Sequence, residues 1–87
     1  MTGDEKLIRK FLGDKTQVTV EDCDTLLAIF GFELKKGKGS HRVYHKKYDN
    51  PIIVITPKHA KYVKPGYVML INKRLNLEGD YGNQRRT

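Results

Sequence analysis

The sequence predicts an α+β domain: a three-stranded antiparallel sheet with two helices on one face, in the order α-β-β-β-α, preceded by one extra helix. Three observations predict it. Apolar residues recur at helical spacing up to Phe30, the period shortens towards two after Gly31, and a helical pattern returns after Pro65. A chain of 87 residues has room for one modest core, so a single domain and a single site are expected.

Leu7, Ile8, Phe11 and Leu12 fall on one helical face, which predicts a short amphipathic helix between Asp4 and Leu12, ending near Gly13. The main helix follows. Thr19 can cap the amide of Asp22, Cys23, Leu26, Leu27 and Phe30 form a buried stripe, and Gly31 stops the helix. Phe32 to Lys35 alternates, Gly37-Lys38-Gly39 supplies turn conformations, and His41 to His45 extends again, which reads as a β-hairpin.

Tyr48-Asp49-Asn50-Pro51 is a second turn signal, and the β-branched run Ile52 to Ile55 is a third strand closed by Pro57. Pro65 suits the first turn of a last helix bearing Val68, Met69, Ile71 and Leu75. The expected organisation is a helical extension over residues 1–18, a domain over 19–77 and a polar, disordered tail over 78–87. One tension stands: Ile52 to Ile55 is apolar on both faces, whereas a sheet covered on one side calls for alternation. Either the N-terminal helix or a protein partner is expected to cover the second face.

The formal net charge is +7, and it is concentrated. Lys35, Lys36, Lys38, Arg42, Lys46, Lys47, Lys58, Lys61 and Lys64 face the single acid Asp49 in the middle of the chain, while acidic residues outnumber basic ones before Lys35. Lysine-rich surfaces also serve solubility alone, but clustering of this kind points to a polyanion, and RNA is the expected partner. Cys23 is the only cysteine, so neither an intrachain disulfide nor a cysteine-based metal cluster is available. The first residues carry no apolar signal segment and no stretch reaches membrane-spanning length, from which no membrane association and a cytoplasmic location are expected.

Gly39 and Ser40 let the backbone approach a ligand closely, and His41 beside Lys38 and Arg42 places an imidazole among phosphate-binding cations. RNA carries its own nucleophile in the 2′-hydroxyl, so one histidine could deprotonate it or protonate the departing 5′-oxygen, with lysines stabilising the phosphorane and no cofactor or metal required. From spacing alone, an ordinary polar residue at a hairpin end is the favoured reading of His41, so the residues alone lead only to RNA binding. His45 could share a strand face with His41, and His59 in the second basic loop could contact phosphate or complete proton transfer. The three histidines lack helical i, i+4 spacing or a nearby carboxylate, which argues against zinc. Tyr44, Tyr48, Tyr62 and Tyr67 could stack on unpaired bases, although Tyr44 and Tyr67 fit a core as well.

Gly31-Phe32-Glu33 followed by Lys36-Gly37-Lys38-Gly39-Ser40-His41 resembles the HicA family of bacterial toxins, ribosome-independent mRNA endoribonucleases with a glycine-serine-histidine signature. The resemblance continues through Ile55-Thr56-Pro57-Lys58-His59 and Lys64-Pro65-Gly66, covering roughly Leu26 to Leu75. It implies a double-stranded-RNA-binding-domain-like fold, His41 as catalytic residue, and an antitoxin of the HicB type as partner. On this reading Lys36, Lys38, Gly39, Ser40, Arg42, Lys58 and His59 bind RNA. Two alternatives remain open from the residues: a non-catalytic double-stranded-RNA-binding module, and a protein-interaction module in which the charge is incidental.

Overall fold

In the structure, a computed structural model, residues 3–36, 41–57 and 59–80 are described. Lys38, Gly39, Ser40 and Lys58, together with the tail beyond residue 80, lie outside these residues. Helix α1 spans Gly3–Leu12 and α2 spans Val20–Ile29, joined through a 3-10 turn at Lys15–Gln17 that the apolar spacing does not predict. Asp14 opens that turn by accepting the Thr16 amide at 3.0 Å.

The cap of α2 is reciprocal. Thr19 Oγ1 accepts the Asp22 amide at 3.0 Å and the Asp22 carboxylate accepts the Thr19 amide at 2.9 Å, satisfying two of the N–H groups that a helix start leaves unpaired. Lys10 pairs with the same carboxylate at 2.5 Å, tying α1 to the start of α2. At the other end Gly31 adopts φ +92°, a conformation open to glycine without strain, and turns the chain into the sheet.

Strands β1 (Glu33–Lys36), β2 (His41–His45) and β3 (Ile52–Ile55) form an antiparallel sheet in the order β1-β2-β3. Glu33 faces His45 and Lys36 faces Arg42 on one side of β2, while His41 faces Ile55 and Tyr44 faces Ile52 on the other. Leu34, Arg42, Tyr44, Ile52 and Val54 therefore share the face that meets the helices, and Tyr44, Ile52 and Val54 are buried there.

Helix α3 (Pro65–Leu75) begins at the proline as its spacing predicts and ends on Asn76 in a left-handed conformation. Its buried stripe is Val68, Ile71 and Asn72. Met69, expected on that stripe, is 59% exposed. In place of a disordered tail starting at Glu78, Leu77–Asp80 forms one more helical turn, α4, because Leu77 is fully buried in the core.

Helix α1 packs against α2, α3 and α4 rather than over the open face of the sheet. Ile8, Phe11 and Val18 join the same buried cluster as Leu26, Tyr44 and Val68, so the N-terminal segment is part of the one core. Asn72 fastens it by donating its amide to the Phe11 carbonyl at 2.8 Å. The tension in β3 is settled accordingly. Ile52 and Val54 are buried, while Ile53 and Ile55 remain 45% and 41% exposed on a face that no element of the chain covers among the described residues.

This architecture, an open three-stranded antiparallel sheet with helices on one side, is consistent with a double-stranded-RNA-binding-domain-like fold. Among the described residues, no helix is long and apolar enough to cross a membrane.

Candidate RNA-processing site

His41 is the first residue of β2 and is exposed. Successive side chains of a strand point to opposite faces, so His41, Val43 and His45 lie on the open face while Arg42 and Tyr44 lie beneath. The register sets Ile55 directly across from His41, and the chain then runs on through Thr56, Pro57 and His59. The segment that precedes His41 and the segment that follows Ile55 thus leave the same end of the sheet. That pairing sets side by side the ends of β2 and β3 at which His41 and Ile55 stand.

The second segment is tightly held. The Pro57 carbonyl accepts the Ala60 amide at 3.0 Å, closing a turn that includes the exposed His59. Beyond it, the Lys61 carbonyl accepts the Val20 amide at 3.0 Å and the Val18 carbonyl accepts the Val63 amide at 2.9 Å, with Thr19 and Tyr62 as bridge partners. These backbone bonds bolt the basic loop to the start of α2. No sequence signal marks them, because neither segment has strand length. Lys61 lies over the Tyr62 ring at 5.4 Å, leaving a cation and a partly exposed aromatic beside each other on the surface.

Arg42 is held by partners within the chain. Its Nη2 and Nε donate to the two oxygens of Asp24 at 2.5 and 3.3 Å, and the Tyr44 hydroxyl donates to Asp24 Oδ1 at 2.6 Å. Burial, followed by the bond to Asp24, pushes the Tyr44 phenol upward, so it stays protonated as a donor. Arg42 is raised as well: burial acts against its charge, but Tyr44 and Asp24 outweigh that and hold the guanidinium charged. Sequence reasoning misses Asp24 altogether, since nothing in its spacing on α2 marks it as the partner of a residue eighteen positions away.

The other candidates separate in space. His45 shares the face of His41, but Val43 lies between them and four strand residues span roughly 13 Å, so the two histidines do not form a contacting pair. Tyr44 is a core residue and Tyr67 packs against the core, which leaves Tyr48 and Tyr62 as the exposed rings. Lys36 stands opposite Arg42 at the end of β1. Cys23 is buried, and burial pushes its thiol up to about 12, so it has no role as a nucleophile. A cleft of about 520 Å³ lies among Lys15, Met69, Asn72 and Lys73 on the helical side, away from the His41 face.

A family model described as HicA toxin of bacterial toxin-antitoxin matches residues 20–77. The chain belongs to the HicA toxin family. No curated protein and no solved structure shows a significant match to it. Membership makes this a toxin of a toxin-antitoxin system, with an antitoxin as partner, in a family of ribonucleases. The HicA match begins at Val20, the first residue of α2, so α1 and the 3-10 turn precede the matched region even though they share its core.

Proposed function

We propose that this HicA-family toxin is an endoribonuclease that cuts mRNA in the cytoplasm, with His41 as its proton-transfer residue. The observation that carries the reading is the pairing of His41 with Ile55, which sets an exposed imidazole at the end of the open sheet face, and in sequence the lysine-bearing stretches lie just before His41 and just after Ile55. A polymer needs such an open surface more than a deep pocket.

The chemistry follows from the substrate. The 2′-oxygen attacks the adjacent phosphorus, forming a 2′,3′-cyclic phosphate and breaking the bond to the 5′-oxygen. His41 either takes the proton of the attacking hydroxyl or gives one to the departing oxygen, with water serving at the other position. Lys36, Lys38 and Lys58, with His59, hold phosphates and offset the charge that builds on the phosphorane, and Gly39 and Ser40 allow close backbone approach. A HicB-type antitoxin silences the toxin by covering this face. RNA supplies the nucleophile, so the scheme calls for no metal.

The test is His41→Ala. Cleavage of a single-stranded mRNA and growth arrest should fall by a factor on the order of a hundred to ten thousand, while thermal unfolding and RNA affinity stay near wild type. Undiminished cleavage by the variant would remove His41 from the mechanism. Equal inactivity of wild type and variant, with tight binding to duplex RNA, would instead identify a non-catalytic duplex-binding module.

A further inference from the structure

Arg42 stands next to His41 in the sequence but on the other side of the sheet. It is paired on both sides, with Lys36 on β1 and Val54 on β3, and the next pair along β2 and β3 is His41 with Ile55. How firmly the strand is held at residue 42 therefore bears on how His41 is presented.

That hold comes from α2. The Asp24 carboxylate receives two guanidinium donors from Arg42 and the Tyr44 hydroxyl, and Arg42 Nε also lies 3.4 Å from that hydroxyl. A planar fork meeting a carboxylate at two points fixes direction as well as distance. Swinging Arg42 out to an RNA phosphate would strip Asp24 of its charge partner in a half-buried setting, which is costly.

We propose that Asp24 is a positioning residue for His41, acting through Arg42 and Tyr44, and that Arg42 serves this clamp instead of an RNA phosphate. The proposal rests on the reading of His41 as the proton-transfer residue. The clamp holds the doubly paired position next to His41, so the imidazole is presented in one orientation to the scissile phosphate. Small displacements of a reacting group lower the rate strongly while leaving substrate affinity alone.

The experiment compares wild type, Asp24→Asn, Asp24→Glu, Arg42→Gln and His41→Ala in single-turnover cleavage, RNA affinity against salt, and histidine ring signals by NMR. The His41 signal is identified by its loss in His41→Ala. Asp24→Asn should lower the cleavage rate about ten- to a hundredfold, with affinity and salt slope unchanged. The His41 signal should shift or split while that of His59 stays in place. Asp24→Glu, which keeps the charge, should recover most of the rate.

Should Asp24→Asn fail to fold, Arg42→Lys, which keeps the charge but loses the two-point geometry, carries the same test. A reduced salt slope and weaker RNA binding in Arg42→Gln would make Arg42 a phosphate ligand and overturn the proposal. So would an Asp24→Asn protein with wild-type rate and an unmoved His41 signal. Full activity in His41→Ala would defeat the reading of His41 alone, and the ring signals would still decide whether Asp24 orients that side chain.

Discussion

His41 and Ile55 face each other across β2 and β3, and their pairing places an imidazole beside an exposed branched aliphatic side chain on the uncovered face of the sheet. Val43 and Ile53 continue that apolar strip, with Lys35 at its β1 side. A protein that silences the toxin by occlusion meets there both area to bury and positive charge to complement.

The antitoxin is accordingly expected to be acidic and to protect His41–His45 and Ile52–Ile55 from hydrogen exchange in the complex. Ile53→Glu, whose side chain lies on the open face, should weaken the complex at least tenfold while leaving the melting temperature of the toxin nearly unchanged. Full inhibition with no protection of these strands would show that silencing acts by a conformational change elsewhere.

Charge reversal at Lys38 and Lys58 should weaken binding to all RNA sequences alike, because bonds to phosphate carry affinity and little sequence information. The slope of log affinity against log salt should flatten by about 0.7 for each single-strand phosphate that is no longer neutralised. An unchanged slope would move the groove away from these two lysines.

Phe11 precedes the region that matches the family, yet it is fully buried in the common core. Phe11→Ala should cost about 3–5 kcal/mol, a large share of the stability of so small a domain. Chemical denaturation measures this directly. A loss under about 1 kcal/mol would mean that α1 is an appendage.

Asp22 links stability to pH. Burial by itself would raise its carboxyl, but Lys10 and the bonds from the Thr19 amide and hydroxyl outweigh burial and hold it below its ordinary 3.8. A carboxyl lowered in the folded state contributes stability that is present above the unfolded value and lost as pH falls through the folded one. Acid should therefore weaken the wild type below about pH 4, and Asp22→Asn should flatten that part of the stability curve. Thr19→Ala, which removes the other half of the cap, should cost about 1 kcal/mol at neutral pH.

The elements of this fold and much of their chemistry are legible in the chain before it folds. The spacing of Cys23, Leu26 and Leu27, the Thr19–Asp22 cap, Gly31, the alternation about residues 37–40 and Pro65 each act within a few residues, so local geometry fixes them. The basic middle of the chain and the imidazole at His41 are equally plain there. Which neighbours these groups acquire is a matter of docking. The register of β2 with β3 sets His41 against Ile55, and two backbone bonds fasten the Lys61–Val63 segment to Val18 and Val20. Packing draws α1 into the helical layer and leaves Ile53 and Ile55 bare. Asp24, eighteen residues from Arg42, takes the guanidinium that charge counting alone assigns to RNA. Contacts between residues far apart in sequence depend on how elements dock, and docking is settled by burial and pairing across the whole chain, for which no local pattern stands in.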